Sequence, residues 1–473
     1  MIEDYMAECI TACFPFTPTD EQSTAIRALS SFLMTPDRDA LFILRGYAGT
    51  GKTLLVSALV KMLAEVKRST VLLAPTGRAA KVFSAYSDHP AFTIHKHIYR
   101  QKSFSAEMTD FSLNVNLTKD TLFIVDEASM ISNEGLSGQM FGTGLLLDDL
   151  VHFVYNGQGC RLVLIGDTAQ LPPVGEEESP ALSDEVMKGY GLHVQSVDLV
   201  QVVRQAQQSG ILWNASNLRQ HIEREKFEVL PKIRLTNFAD IRRLPGDELI
   251  ETLSSCYDHD GMDQTVVITR SNKRANIYNN GIRAQILFRD DELESGDVLM
   301  IAKNNYFWTA KSKEMDFIAN GENVVVRRVR HNREVYGFRF ADVCLSFPDY
   351  DDFELDATLL LDTLHTESPA LPKAENDKLF NNILVDYADI PLKRDRMKKM
   401  KEDTYYNALQ VKYAYAITCH KAQGGQWKNV FLDQAYVSPD YLTPDYFRWL
   451  YTALTRATGT LYLVNYPEEQ VEK

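Results

Sequence analysis

The chain has 473 residues, 45% hydrophobic and 24% charged, a globular balance with length for roughly two to four domains. Its net charge of -14 argues against a passive coat for nucleic acid, whose affinity rests on phosphate neutralisation, and leaves room only for a local positive groove. It has no charge-free apolar run of spanning length, no leader pattern and no zinc-like spacing around its six cysteines, so a cytoplasmic protein with reduced thiols and no membrane partner is expected.

Taken in chain order, the first strong signal is the apolar run Ala40–Leu44, which predicts a buried parallel strand. It leads into Gly46-Tyr47-Ala48-Gly49-Thr50-Gly51-Lys52-Thr53, a full match to GxxxxGK(S/T), and then into a helical pattern of Leu54, Leu55, Ala58, Leu59, Met62 and Leu63. Strand, glycine-rich loop and helix in this order make a phosphate site, with ATP and Mg²⁺ as the expected ligands. The backbone of Gly46, Ala48, Gly49, Thr50 and Gly51 turns N–H groups towards the phosphates, Lys52 reaches the β- and γ-phosphates, and the Thr53 hydroxyl can bind the metal.

Val71–Ala74 predicts a second strand. Residues Ile98–Leu117 predict a hairpin turning around Ser105–Asp110, with Phe104 and Phe111 beside the turn. Leu122–Val125 predicts a buried strand that delivers Asp126 and Glu127 at its carboxyl end. Asp126 would hold Mg²⁺ and Glu127 would orient or deprotonate the attacking water. Leu162–Ile165 runs into Gly166-Asp167-Thr168-Ala169-Gln170, so Gln170 falls near the expected γ-phosphate.

In the second half, Val266–Thr269, Tyr413–Thr418, Val430–Leu432 and Leu461–Val464 repeat the buried-strand pattern. The expected organisation is therefore an α/β domain over 1–200 with an inserted hairpin at 97–118, and a second over 201–473. Strand-like runs Val298–Ile301, Val324–Val329 and Gly337–Phe340 predict a small β-rich insert at 294–405. The acidic run Asp349–Asp356 and the basic run Lys393–Lys401 within it are expected to be solvated surface.

With these residues in place, the chain resembles a superfamily 1 helicase of the RecD-like branch, the Dda type. The segments that carry the resemblance are Thr19–Gln22, Ala74–Arg78, Thr93–His95, Asp126–Met130, Gly166–Pro173, Val203–Gln205, Ile417–Gly424 and Tyr451–Arg456. It implies two RecA-like parallel-sheet P-loop domains, with a pin hairpin and an SH3-like insert. It also implies that Gln22 reads adenine, that Arg204 and Arg456 complete the γ-phosphate site from the second domain, and that Lys52, Asp126, Glu127 and Gln170 serve hydrolysis. Pro75, Thr76, Arg78, Thr93, His95, Thr418, His420 and Lys421 would contact the nucleic-acid backbone, and Phe104 and Phe111 would stack at the junction.

The function so implied is ATP-dependent DNA unwinding with 5′ to 3′ movement on single-stranded DNA, in replication, recombination or repair. Its partners would be single-stranded and forked duplex DNA and replication or repair proteins. Two alternatives stay open: an RNA or RNA–DNA helicase, and an ATP-gated DNA-binding subunit of a repair complex.

Overall fold

The computed structural model describes residues 2–101, 111–135, 142–203, 208–310, 312, 315, 317–438 and 442–472. Its first part contains β1 (Ala40–Gly46), β2 (Thr70–Ala74), β3 (Ala91–Thr93), β4 (Tyr99–Gln101), β5 (Phe111–Leu113), β6 (Leu122–Val125), β7 (Arg161–Gly166) and β8 (His193–Leu199). Six of these form a parallel sheet in the order β3-β2-β6-β7-β1-β8. The interior strands β6 and β7 are buried throughout, because helices cover both faces of a parallel sheet. One face packs Phe42, Leu44 and Ile124 on Leu55, Leu59 and Phe32; the other packs Leu41, Phe123 and Leu164 on Leu150 and Phe153.

Register brings the active loops together. Arg45 of β1 pairs with Gly166 of β7, and Val125 of β6 pairs with Leu164 of β7. The phosphate loop, Asp126 and Asp167 therefore leave neighbouring strands at one edge of the sheet. The short hairpin β4-β5 stands apart, Tyr99 pairing with Leu113 and Gln101 with Phe111. Its root is anchored where the Tyr99 hydroxyl donates to buried Asp149 at 2.7 Å.

The second part contains β9 (Ile241–Leu244), β10 (Thr265–Thr269), β11 (Val298–Ile301), β12 (Asn323–Val335), β13 (Phe338–Phe347), β14 (Phe353–Leu360), β15 (Leu409–Tyr413), β16 (Ala416–Thr418), β17 (Trp427–Asp433) and β18 (Ala457–Val464). A second parallel sheet runs β16-β10-β17-β18-β9, and β11 to β15 close into a barrel.

The expected single strand Tyr413–Thr418 is in fact two, and the chain changes sheet between them. Buried Asn279 explains the break: its side chain donates to the Tyr413 and Ala416 carbonyls at 3.3 and 2.9 Å and accepts from Ala416 N at 2.7 Å. A corner of that kind leaves no buried backbone group unpaired. The acidic run also holds ordered structure, since Glu354 and Asp356 sit on β14 and point outward in alternation with Phe353 and Leu355. Arg330 meets Asp356 there at 2.8 Å. The basic run is the helix Lys393–Lys401, largely exposed.

Candidate nucleotide and nucleic-acid sites

The phosphate loop requires glycine at two left-handed positions, Gly49 and Gly51, with φ of 76° and 84°. A Cβ on Gly51 would lie 2.4 Å from the Gln22 amide nitrogen, so Gln22 packs directly on the loop. Its amide donates to the Thr50 carbonyl and accepts from the Thr19 N–H, each at 3.0 Å, the latter closing a capping box on the helix Asp20–Met34. Lys52 folds back on the loop, donating to the Gly46 carbonyl, and stands 3.9 Å from Asp167 Oδ2. Thr53 is exposed on the first turn of the helix Lys52–Glu65.

Asp126 and Glu127 lie at the end of β6. Burial raises the pKa of both, with Lys52 opposing the shift in each; Glu127 also feels Asp126, and Arg456 draws it back down. Glu127 adopts a left-handed backbone with φ of 53°, a strained conformation of the kind stored at functional sites. Asp126 accepts from the Glu127 N–H at 2.8 Å and from the Tyr86 hydroxyl at 2.5 Å. Tyr86 has no motif to announce it; only folding brings its helix beside β6.

Gln170 is 7% exposed, and its Oε1 has no hydrogen-bond partner. A buried acceptor without a partner is costly.

The second part of the chain closes over the loop. Val203 N–H donates to the Gly49 carbonyl at 3.0 Å, and Leu212 meets the space a Gly49 side chain would need. Arg204, the next residue, lies outside the described residues. Arg456 is 3% exposed and donates to the Thr452 carbonyl at 3.0 Å and the Gly425 carbonyl at 3.3 Å. Its charge opposes the rise of the Glu127 pKa. Around it, Tyr451 bonds to Ala48 and Asp167, Thr452 accepts from Leu171 N–H at 2.9 Å, and Gln423 donates to the Leu171 carbonyl at 2.7 Å. Sequence reasoning singled out Arg456 here and missed Asp167, Gln423, Tyr451 and Thr452, although all four stood inside the quoted motifs.

Of the residues expected to touch nucleic acid, Thr76 and Arg78 lie where the first sheet meets the second part of the chain. Thr76 and Thr93 are the N-caps of the helices Gly77–Ser87 and Ile94–Ile98, accepting from Ala79 and Lys96 N–H at 3.2 Å. A capping hydroxyl still has its own proton to donate, and the helix start is favourable to phosphate. A Cβ on Gly424 would lie 2.9 Å from Ala79 Cβ and 3.3 Å from Thr76 Oγ1, so the Ile417–Gly424 motif abuts the Ala74–Arg78 motif. Pro75 is half-buried at the same edge, and Thr418 precedes the short helix Cys419–Ala422.

Burial lowers the His95 pKa to about 4, and desolvation of the ring with the nearby Lys421 charge lowers that of His420. Lys421 is lowered to about 8 by burial and donates to Asn320 at 2.6 Å. Arg78 is aimed at the ring of Trp427. The barrel covers this edge: Asp349 pairs with Lys81 at 2.9 Å, and Tyr350 donates to buried Glu322 at 2.8 Å. Phe104 lies outside the described residues, as does the side chain of Phe111, although the Phe111 backbone belongs to β5.

A phosphate loop, a half-buried carboxylate pair at a neighbouring strand end and a buried arginine supplied by the second part of the chain define a P-loop ATPase site. The AAA domain model matches residues 17–233, and the UvrD-like helicase C-terminal domain model matches residues 413–464. An uncharacterized protein of Acanthamoeba polyphaga mimivirus is 22% identical over 94% of this chain and 98% of its own length. The ATP-dependent RecD2 DNA helicase of Deinococcus radiodurans is 30% identical over 38% of this chain, which spans only 21% of that protein. A Pif1 helicase from Bacteroides, solved with ADP-AlF3 and ssDNA, aligns over 97% of this chain and 95% of its own with 15% identity and a TM-score of 0.46. These matches support an ATP-hydrolysing helicase of the superfamily 1 RecD/Pif1 type. Among the described residues no helix is long and apolar enough to cross a membrane.

Proposed function

We propose that this helicase moves 5′ to 3′ on single-stranded DNA and separates forked duplexes during replication, recombination or repair. The observation that carries the reading is the direct contact of the two strand-end motifs, Gly424 against Thr76 and Ala79, on a pair of sheets that also share the nucleotide cleft. A cleft that closes on ATP and opens after hydrolysis then changes the spacing between two grips on one strand. Thr76, Thr93 and Thr418 hydroxyls, neutral His95 and His420, and Lys421 suit phosphate contacts that read no sequence. Pro75 shapes the strand end that presents the first grip.

At the cleft, Lys52, Arg204 and Arg456 neutralise the transferring phosphate, Glu127 orients the attacking water and Gln170 senses its position. Beside its Thr19 and Thr50 contacts the Gln22 amide keeps a second N–H and a second lone pair for the adenine edge. The Thr53 hydroxyl and the Asp126 carboxylate fit Mg²⁺: both are hard oxygen donors, and each Asp126 oxygen carries a single hydrogen bond, leaving a lone pair. Bound there, Mg²⁺ would supply charge neutralisation on the phosphates. We take the hairpin β4-β5 as the root of a strand-separating pin and the barrel as an SH3-like insert that guides the strand.

Forked duplexes with a 5′ DNA tail, a 3′ DNA tail or a 5′ RNA tail test the reading in one assay with ATP. Unwinding confined to the 5′ DNA tail supports it. Preference for the 3′ tail overturns the polarity, and preference for the RNA tail overturns the substrate.

A further inference from the structure

The Tyr451 hydroxyl is buried in the second part of the chain, yet both of its partners belong to the first. It accepts from the Ala48 N–H at 2.9 Å and donates to Asp167 Oδ2 at 2.7 Å. The ring is 1% exposed and packs with Phe447, Leu450, Ala169 and Leu171. A phenylalanine would fill that space equally well. A buried hydroxyl is retained without cost only where it is bonded, so the oxygen serves the contact across the cleft.

Both partners are parts on which a nucleotide acts. Ala48 stands in the phosphate loop. Asp167 Oδ2 is 3.9 Å from the Lys52 ammonium, so one carboxylate oxygen is shared between the phosphate-binding lysine and Tyr451. If phosphates draw Lys52 forward, Asp167 keeps its bonds from the Ala169 N–H and the Tyr451 hydroxyl. Tyr451 lies on the helix Pro444–Leu454, where the next residue, Thr452, holds Leu171 N–H. Arg456 stands two residues past the end of that helix and donates from its guanidinium to the Thr452 carbonyl.

We propose that Tyr451 is a positioning residue: its hydroxyl registers the helix that leads into Arg456 against the phosphate loop and Asp167, and so sets the arginine at the phosphate when the cleft is loaded. The proposal rests on the reading of Arg456 as a hydrolytic arginine. Because it concerns placement, the effect falls on turnover and leaves ATP affinity nearly intact.

The test compares DNA-stimulated ATPase in the wild type, Tyr451→Phe, Arg456→Lys and the double variant, using the full chain. Tyr451→Phe keeps the ring, and a near-UV circular dichroism spectrum checks the packing. The expected result is a kcat lowered roughly tenfold or more with KM for ATP within about twofold, the scale of one charge-assisted hydrogen bond. In the double variant the losses do not multiply, because the hydroxyl acts through the arginine. Unchanged kcat in Tyr451→Phe, or losses that multiply, overturns the proposal. Wild-type kcat in Arg456→Lys instead removes the reading beneath it, and that result is obtained without reference to Tyr451.

Discussion

The Arg78 guanidinium lies 3.9 Å from the centre of the Trp427 ring and ties the first strand-end helix to the second sheet. Gly425 leaves the room for it, since a Cβ there would meet both the Trp427 ring and Arg78 Cδ. Burial lowers the Arg78 pKa to about 10, which marks a cation withdrawn from water. A desolvated cation–π contact contributes about 2 kcal/mol. Arg78→Ala is therefore expected to lower stability in urea melts by about 1–2 kcal/mol. If Arg78 also meets the strand's backbone, as the resemblance implies, the log–log salt slope of oligonucleotide binding falls by about one; an unchanged slope limits Arg78 to its contact with Trp427.

Lys52 rests on the carbonyl of Gly46 in a loop built for phosphates. Lys52→Ala should cut ATP turnover by at least about a hundredfold, as the loss of a transition-state charge partner does. Its thermal melt should stay close to wild type. Turnover near normal would remove the loop from the catalytic site.

Arg456→Ala should retain nucleotide binding, followed with a fluorescent ADP, while hydrolysis falls on the order of a thousandfold. The guanidinium is held by the chain's own carbonyls at Thr452 and Gly425 and lies within reach of Glu127 electrostatically. Loss of binding with unchanged turnover per bound nucleotide would contradict the assignment.

Glu322 carries a pH signature. Burial raises its carboxyl from 4.5 to about 7, against the pull of the Tyr350 hydroxyl, the Ala319 N–H and Lys96, and with Asp349 adding to the rise. In the unfolded chain the group ionises first as pH rises, so stability falls between pH 4.5 and about 7 and levels off above. The drop is on the order of 3 kcal/mol for a shift of this size. Glu322→Gln should flatten that part of the stability–pH curve in urea melts, and an unaltered curve would assign the dependence elsewhere.

The hairpin prediction separates unwinding from ATPase. Phe104→Ala or Phe111→Ala should slow strand separation several-fold and leave DNA-stimulated ATPase close to wild type. Tyr99→Phe, which loosens the root at Asp149, should lower stability by about 1–3 kcal/mol, because it removes a buried hydrogen bond to a carboxylate. Parallel loss of both activities would dismiss the pin.

Local pattern carried a large share of this protein. The run Ala40–Leu44 and the loop Gly46–Thr53 are legible because a buried strand, a glycine-rich turn and a helix are each written in consecutive residues. Asp126 and Glu127 are legible for the same reason, at the end of a four-residue apolar strand. The edge strand β8 was missed: it pairs with β1 on one side only, and its alternating exposure, with His193, Gln195 and Asp198 among its residues, lacks the apolar run that marks an interior strand. The turn at Asn279 was equally hidden, because its amide satisfies a corner 134 and 137 residues further along the chain.

The cleft itself belongs to tertiary structure. Ala48 and Tyr451 are 403 residues apart, and Asp167 and Tyr451 are 284 apart. Sequence by itself determined which groups can do phosphate chemistry, since that depends on residue type and on the turn that presents the backbone. Which of those groups share a hydrogen bond was decided only when two sheets docked, because a hydroxyl reaches its partner across about 3 Å of space whatever their separation along the chain.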